Sequence, residues 1–338
     1  MNNFIIASEG LAYKIAFSNL KHIFNLAFPD KNIIFDIDRK YKPDLIIRSH
    51  FLYEESSITN YDCPYICFSG EPHRCNLKYK PPICELNSYI PLIKNNDFDS
   101  IELYDDPGIV SNKCNSVWGK KLFYLSPNIK SFWVPYIIFC DYDLNNIRKY
   151  NNLNEKILTC GFICSNPTQK IRNNLFIEIK KLDTNNSVRS LGKVLNTENN
   201  ILIDKKVDLV NFYKQFKFVI AGENSYYNGY ITEKIMLPFM AGSIPIYYGT
   251  DKIKELFNDK SFFYVNDYLQ KGWLLEDIAL EIHNLANDNN ELTGWKKYLK
   301  EPIFNNNIIP DILKIKDSNS LISHQIADYI KNNYNKYI

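Results

Sequence analysis

The stretch from Phe216 to Gly249 constrains the fold of this chain most, because it predicts a complete βαβ unit. A strand is predicted over Phe216–Ala221, and a loop of polar and aromatic residues follows it. A helix is predicted to open at Thr232 and to stop at Gly242, and a second strand is predicted over Ile244–Tyr248. Such a unit places the start of its helix beside a strand end, where this class of fold binds ligands.

The predicted helix start, Thr232-Glu233-Lys234, indicates an anion site. Thr232 suits the N-cap position, and the unpaired N–H groups and positive dipole of a helix N-terminus attract phosphate. Glu233 and Lys234 lie about 100° apart around a helix axis, which predicts that they do not pair with each other. Lys234 adds a cation for the phosphate, and Glu233 can accept both hydroxyls of a ribose. The pattern predicts a bound nucleoside diphosphate, and an ordinary capped helix is the alternative.

Three motifs at fixed spacing resemble the signature of the α-1,3-fucosyltransferases, glycosyltransferase family ten. They are Glu223-Asn224, Gly229-Tyr230-Ile231-Thr232-Glu233-Lys234 and Gly242-Ser243-Ile244-Pro245-Ile246-Tyr247-Tyr248-Gly249. Two positions depart from the family pattern. Gly222 stands where the family usually has an aromatic residue, and Pro238 lies inside the predicted helix, where it should remove a hydrogen bond and kink the helix.

The resemblance implies a fold, a reaction and a set of donor contacts. The implied fold is α/β of GT-B type, with two Rossmann-like βαβ domains facing a central cleft, residues 1–145 on the acceptor side and residues 146–338, with a C-terminal helix, on the GDP-sugar side. The implied reaction is inverting transfer of L-fucose from GDP-fucose to a sugar hydroxyl of an acceptor glycan, with an α-1,3 type linkage. The donor contacts that it implies are Arg172, Asn224, Tyr230, Thr232, Glu233 and Lys234.

Two residues outside the βαβ unit also take roles from the resemblance. Glu71 follows the predicted strand at residues 64–68, and ligands of a doubly wound domain lie beyond the carboxyl ends of its strands. A Gly-Glu pair after an early strand carries the proposed catalytic base of the family, so Glu71 would take the acceptor proton. Arg172 follows the turn Ser165-Asn166-Pro167, as an arginine on the donor diphosphate does in the family. A solvated turn residue and a surface arginine are the alternatives for Glu71 and Arg172.

Outside the motifs, strand and helix patterns alternate, which predicts parallel sheets with helices on their faces. In the first half, strands are predicted at residues 3–7, 32–36, 44–48 and 64–68, with a helix over residues 12–27. The polar, Asn-rich segment 143–155 is predicted to link the two domains. A last helix over residues 318–334 lacks a strongly basic face, so packing onto the protein is favoured over a membrane surface.

Length and charge narrow the class of protein further. A chain of 338 residues suggests about two domains. Because 40 basic residues face 38 acidic ones, no positive excess favours a nucleic-acid partner. Glu9 and Lys14 interrupt the amino-terminal apolar stretch, and no other segment has the length of a transmembrane span. These features predict a cytoplasmic enzyme, with peripheral membrane contact as the alternative.

No metal or other cofactor is predicted, because two cations and a helix terminus suffice for the leaving group. A metal-dependent glycosyltransferase would need an Asp-x-Asp motif, and Asp36-Ile37-Asp38 and Asp141-Tyr142-Asp143 are available, although solvated turns are favoured there. The cysteines at 63, 67, 75 and 84 lack the paired CxxC spacing of zinc sites. A transferase for another nucleotide sugar and an inactive glycan-binding relative remain as alternative functions.

Overall fold

The computed structural model of the chain describes residues 1–9, 21–36, 40–49, 65–68, 137, 144, 147, 156–167, 169–198, 206–224, 226, 229–317 and 319–337. Contacts divide the chain into two compact units. One unit is formed by Met1–Phe139 together with Pro310–Ile338, and the other by Cys140–Ile309. The sequence placed the boundary near residue 145 and assigned the carboxyl-terminal segment to the second domain, whereas the contacts group that segment with the first unit.

The described part of the first unit contains a parallel sheet of four strands. They are β1 (Asn2–Glu9), β2 (Lys31–Asp36), β3 (Leu45–Ser49) and β4 (Tyr65–Phe68), in the spatial order β2-β1-β3-β4. Residues 21–27 form a helix, and the ring of its buried Phe24 lies 5.9 Å from the ring of Phe35 in β2. The predicted strands and their parallel arrangement are confirmed, because each neighbouring pair runs in parallel register.

The carboxyl-terminal helix, Leu321–Tyr337, packs on the first unit. Its Tyr334 ring lies 5.2 Å from the rings of both Phe4 and Phe28, and both of those phenylalanines are buried. Tyr334 therefore packs edge-on against an aromatic pair that belongs to the amino-terminal end of the chain. The preference for packing over a membrane surface agrees with these contacts. Among the described residues, no helix has the length and apolar character needed to cross a membrane.

The second unit is built on a parallel sheet of five strands in the order β6-β5-β7-β8-β9. The strands are β5 (Leu158–Ile163), β6 (Val188–Leu191), β7 (Phe216–Ile220), β8 (Ile244–Tyr247) and β9 (Phe263–Tyr264). Because β5 pairs in parallel with β7, the loops that leave their carboxyl ends lie side by side. These two loops carry most of the residues that the sequence singled out.

Short helices connect these strands. Within the described residues of this unit they span Lys170–Lys181, Lys206–Tyr213, Met236–Met240, Ile253–Leu256, Val265–Leu269, Leu275–Asn287 and Lys296–Lys300, with 3-10 turns at Asp259–Ser261 and Asn305–Asn307. A further 3-10 turn, Asp311–Lys314, belongs to the first unit. The sequence analysis predicts neither β6 nor the helix Lys206–Tyr213.

Two buried apolar clusters hold the sheet of the second unit. The larger one joins Phe162 and Phe218 of the sheet to Phe176 and Ile282 of two covering helices. The smaller one joins strand residues to Leu237 of the helix Met236–Met240. Full burial of one such side chain contributes about 1.5–3 kcal/mol, so these clusters fix the strands on which the loops are mounted.

Asp183 stabilises the connection between the helix Lys170–Lys181 and β6. Its carboxylate accepts hydrogen bonds from the backbone N–H groups of Ser187 (2.8 Å) and Val188 (3.0 Å), and from the Lys180 ammonium group (2.7 Å). Burial alone would raise the pKa of Asp183, but the bonds from Lys180, Ser187 and Val188 lower it from 3.8 to about 2. Its stabilising contribution is therefore complete above pH 3.8 and is lost as the pH falls towards about 2.

We expect Asp183→Asn to lower the free energy of unfolding by about 2 kcal/mol at neutral pH, because charged hydrogen bonds are lost. The difference in the free energy of unfolding between this variant and the parent protein should become smaller below pH 4, because protonation of Asp183 removes the same charge in the parent. Urea unfolding at pH 7 and near pH 2.5 measures both effects. Asp259→Asn is the control, since Asp259 is an exposed aspartate of the same unit. Equal unfolding midpoints for Asp183→Asn and the parent at pH 7 would contradict the prediction.

Candidate functional site

The helix of the central βαβ unit begins at Met236 and not at Thr232, so the predicted helix start is wrong. Glu233 opens a turn, because its carbonyl accepts the N–H groups of Met236 (3.0 Å) and Leu237 (3.1 Å). The helix that follows ends at Met240 and has only 5 residues. A helix this short, starting two residues beyond Lys234, cannot supply the phosphate-binding N-terminus that the sequence predicted.

Pro238 is the third residue of this helix. The N–H of Leu237 already donates to the carbonyl of Glu233, and Pro238 has no N–H group to continue this pattern. The predicted kink inside a longer helix is wrong, because the helix has only 5 residues. The predicted stop at Gly242 is confirmed, since Gly242 follows the last turn with a positive φ of 67°.

A buried carboxylate, that of Glu223, organises the loop between β7 and this helix. Glu223 is 0% exposed. Its Oε1 accepts the backbone N–H of Thr232 at 2.8 Å, and its Oε2 accepts the Thr232 hydroxyl at 2.7 Å. The Tyr247 hydroxyl also donates to Oε1, at 3.4 Å. Thr232 is held by Glu223 from across the loop, and its hydroxyl also accepts the backbone N–H of Lys234 at 3.5 Å, so it begins a turn that precedes the helix.

The ammonium group of Lys234 lies among three oxygen atoms of this loop. Its Nζ is 3.0 Å from Thr232 Oγ1, 3.2 Å from Glu233 Oε1 and 3.5 Å from Glu223 Oε2. The prediction that Glu233 and Lys234 do not pair is wrong, because both residues lie in a turn where neighbouring side chains can meet. Burial alone would lower the pKa of Lys234, but the charges of Glu223 and Glu233 outweigh burial and raise the pKa. Lys234 is therefore a cation at neutral pH.

Arg172 lies under the same loop, and the surface-arginine alternative is wrong because the residue is 3% exposed. Its guanidinium group donates to the carbonyls of Gly222 (2.9 Å) and Asn166 (2.7 Å) and contacts the sulfur of Cys164 at 3.2 Å. Its Nε is buried without a hydrogen-bond partner, and no carboxylate among the described residues forms an ion pair with it. The charge of Arg172 acts on Lys234 and opposes the rise in the pKa of Lys234.

A buried guanidinium group without a negative partner is costly, since an uncompensated buried charge destabilises a protein by several kcal/mol. The described part of the site holds two cations, Arg172 and Lys234, against two carboxylates that both lie near Lys234. The side of the site around Arg172 is therefore suited to an anion. Phosphate oxygens are suitable acceptors for such guanidinium donors.

Gly222 is required by the position of Arg172. A Cβ atom at residue 222 would lie 2.8 Å from the Cβ of Arg172, which is too close for two carbon atoms. The family's usual aromatic residue is replaced here by glycine, and the stem of Arg172 occupies the space beside it. This contact accounts for the first departure noted in the sequence.

We expect Gly222→Ala to lower the free energy of unfolding by about 1–3 kcal/mol, because the added methyl group overpacks the contact with Arg172. The same change should weaken anion binding, since the guanidinium group must move. Thermal unfolding and titration with GDP measure the two effects. Gly272→Ala is the control for a loss of stability that does not involve Arg172. The φ of 84° strains an alanine at residue 272, but no atom lies within 4 Å of the added methyl group. Unchanged stability and GDP affinity in Gly222→Ala would contradict this account.

The other predicted donor contacts lie in or beside the same loop. Asn224 is partly buried at the start of the loop, and Tyr230 is buried at its end with 5% exposure. The Glu233 side chain is 36% exposed, so its carboxylate is accessible to a ligand hydroxyl. Glu71 lies outside the described residues. The structure therefore brings Arg172, Thr232, Glu233 and Lys234 together, and it adds Glu223, which the sequence quoted only as part of a motif.

The described residues give little support to the metal-binding alternatives. No group of three or more His, Cys, Asp or Glu side chains able to hold a metal occurs among them. Asp36 is 5% exposed and accepts the backbone N–H of Tyr41 at 2.7 Å, so its carboxylate caps a turn and is not solvated as the sequence suggested. The rest of both Asp-x-Asp motifs and the side chains of the four clustered cysteines lie outside the described residues.

Comparison with known proteins agrees with the sequence motifs. Residues 153–309 match the family model described as glycosyltransferase family 10 (fucosyltransferase) C-term. The chain is 35% identical over 108 residues to the alpha-(1,3)-fucosyltransferase FucT of Helicobacter pylori. This aligned stretch covers 32% of this chain and 21% of that protein. It is 34% identical over 100 residues to GDP-fucose protein O-fucosyltransferase 3 of Gallus gallus, covering 28% of this chain and 20% of the relative. The matches thus span about a fifth of each relative.

The solved structures extend the likeness to nearly the whole chain. A crystal structure of an alpha1,3-fucosyltransferase with GDP superposes with a TM-score of 0.58 at 20% identity, covering 99% of this chain and 91% of that one. At this identity the likeness concerns the fold. The predicted fold class, α/β of GT-B type with parallel sheets in two units, is confirmed.

Proposed function

Residues 153–309 belong to glycosyltransferase family 10, and from this we propose that the chain transfers L-fucose from GDP-fucose to a hydroxyl group of an acceptor glycan. The observation that carries the proposal is the buried guanidinium group of Arg172. Among the described residues this group has no carboxylate partner. It donates to carbonyls in the loops that follow β5 and β7, and its charge acts on the cation Lys234. This arrangement suits the diphosphate of a nucleotide sugar.

In the proposed reaction, an acceptor oxygen forms a bond to the anomeric carbon of fucose while the bond from that carbon to the terminal phosphate of GDP breaks. GDP keeps the electron pair of the broken bond, and the anomeric carbon is inverted. Arg172 and Lys234 stabilise the negative charge that grows on GDP, as preorganised cations do for a leaving phosphate. Glu71 accepts the acceptor proton as general base.

The remaining residues hold the donor in this proposal. The accessible carboxylate of Glu233 accepts the ribose hydroxyls, which requires it to release Lys234 when the donor binds. Asn224 and Tyr230 line the part of the loop that faces the phosphates and the sugar. Thr232 contributes through Lys234, because its hydroxyl group accepts a hydrogen bond from that ammonium group. No metal ion takes part in the proposed step.

Incubation of the full chain with a panel of nucleotide sugars, followed by detection of the released nucleotide, tests the proposal. We expect release of GDP from GDP-fucose, faster with an oligosaccharide acceptor, and no loss of rate in the presence of a chelator. Release from a different nucleotide sugar alone would overturn the choice of donor. Loss of activity in chelator would favour a metal-dependent enzyme. Binding of GDP-fucose without turnover on any acceptor would favour an inactive glycan-binding relative.

The acceptor class has a second candidate. The relative in Gallus gallus is named a GDP-fucose protein O-fucosyltransferase, so a serine or threonine hydroxyl of a polypeptide is an alternative to a sugar hydroxyl. Mass spectrometry of the fucosylated product distinguishes the two. Oligosaccharide products with an α-1,3 linkage support the proposal, and fucose attached to a protein side chain replaces it with the alternative.

A further inference from the structure

We propose that Glu223 is a positioning residue whose buried carboxylate fixes the Lys234 ammonium group and balances its charge, so that Lys234 remains a cation for the donor diphosphate. The inference rests on the proposed function only for the identity of that diphosphate. The sequence analysis gives Glu223 no role of its own. Glu223 lies three residues beyond the end of β7 and is fully buried.

The contacts of Glu223 converge on Lys234 through Thr232. The Thr232 hydroxyl donates its proton to Glu223 Oε2 at 2.7 Å, so its lone pairs are left to accept a hydrogen bond from Lys234 Nζ at 3.0 Å. The other carboxylate oxygen of Glu223, Oε1, accepts the backbone N–H of Thr232 and so fixes the backbone two residues before Lys234. Glu223 therefore determines both the direction of the threonine hydroxyl and the position of the ammonium group.

Glu223 also differs from the other carboxylate beside Lys234. Glu233 is 36% exposed and is the group that we expect to turn to the ribose, whereas Glu223 is 0% exposed and has no such alternative. Water screens a charge at an exposed site more than at a buried one, so Glu223 is the more effective partner at equal distance. Once Glu233 has turned to the donor, Glu223 is the remaining described carboxylate that neutralises Lys234.

Several charges act on Lys234 and Glu223 at once. Burial and the positive charge of Arg172 both act to lower the pKa of Lys234, while Glu223 and Glu233 act to raise it. Burial raises the pKa of Glu223, and Lys234 opposes that rise. Tyr247, which donates to Glu223, has a raised pKa, because burial and the charge of Glu223 both disfavour its anion, so it remains a neutral donor. Removing the charge of Glu223 leaves Lys234 with burial, Arg172 and a single exposed carboxylate.

Amine labelling of the full chain without ligand tests the inference directly. The rate of acetylation at each lysine, followed by peptide mass spectrometry between pH 7 and pH 11, reports how much of that lysine is neutral. In the parent protein we expect Lys234 to become reactive at higher pH than Lys260, which is exposed. Glu223→Gln keeps the shape of the side chain and one acceptor oxygen. In this variant we expect Lys234 to be labelled about tenfold faster at a given pH, which means that its labelling profile moves about one pH unit lower.

Asp183→Asn is the matched control, because it also removes the charge of a hydrogen-bonded carboxylate with no exposed surface from the same unit. It should lower stability without changing the labelling profile of Lys234. An unchanged Lys234 profile in Glu223→Gln overturns the inference. If that variant fails to fold, the parent protein still decides the question, because a Lys234 that becomes reactive at lower pH than Lys260 overturns it.

Titration with GDP then connects Glu223 to the donor site. We expect Glu223→Gln to bind GDP about tenfold more weakly at pH 10 than at pH 7, while the parent protein changes less than about threefold. The double variant Glu223→Gln/Lys234→Arg should lose this pH dependence, because an arginine does not titrate in this range. A double variant that keeps the pH dependence would overturn the role of Lys234. A parent protein that binds no GDP would remove the proposed function, while the labelling result would still decide the role of Glu223.

Discussion

Lys234→Ala is expected to lower the turnover of GDP-fucose about 100- to 1,000-fold, the loss typical when one preorganised donor is removed from a developing negative charge. Lys234 is held by Thr232 and two carboxylates within 3.5 Å, so its ammonium group is in place before the donor binds. A fixed cation spends little energy on reorganisation when charge develops on GDP. We therefore expect the loss to fall mainly on turnover, with a smaller loss in GDP affinity.

Single-turnover measurement of GDP release, with GDP affinity measured separately, distinguishes the effect on turnover from the effect on binding. Lys234→Arg should retain more activity than Lys234→Ala, because it keeps the charge, but less than the parent, because the longer planar group does not fit the same three oxygens. Lys260→Ala is the control for loss of an exposed lysine in the same unit. Turnover within threefold of the parent in Lys234→Ala would remove Lys234 from the mechanism.

Glu71→Gln is expected to lower turnover about 100- to 10,000-fold, the range that a positioned general base contributes. Glutamine keeps the size of the side chain and cannot accept the acceptor proton. GDP affinity should be unchanged, because Glu71 lies outside residues 153–309, which carry the donor motifs. Parallel assays of turnover and GDP binding test both statements. A variant with parental turnover would exclude Glu71 as the base, and a variant that no longer binds GDP would place Glu71 among the donor contacts.

The sheets could be predicted from the sequence because parallel strands are marked by local apolar runs. The strands β1 to β4, β7 and β8 are each predicted close to their observed bounds. The strand β6, Val188–Leu191, was missed because it has only 4 residues and a polar arginine within it. Its pairing with β5 supplies the stability that its own residues do not indicate.

The start of the βαβ helix could not be predicted because it depends on a contact across the loop. Thr232 has the sequence signature of an N-cap, but its N–H and hydroxyl bind Glu223, nine residues earlier in the chain. A pattern read within one helical turn does not contain that partner. The same contact produces the turn at Glu233 and allows Glu233 and Lys234 to pair.

The proposed donor contacts depend on the family resemblance and not on residue spacing alone. The motifs placed Arg172 and Lys234 in one site, and the structure brings them close enough for the charge of one to act on the other. Gly222 departs from the family pattern, and its close packing against Arg172 provides the structural reason. As with the helix start, the explanation is a contact between residues far apart in the sequence, here Gly222 and Arg172, which the local sequence pattern does not contain.

The grouping of Pro310–Ile338 with Met1–Phe139 has a consequence for the order of events during synthesis. Phe4 and Phe28 are synthesised before Cys140–Ile309, whereas Tyr334, whose ring packs against theirs, is synthesised after it. The middle unit, Cys140–Ile309, is continuous in sequence and can fold while translation continues. We therefore expect Cys140–Ile309 to fold before Phe4 and Phe28 gain their contacts with Tyr334 and the other unit is completed.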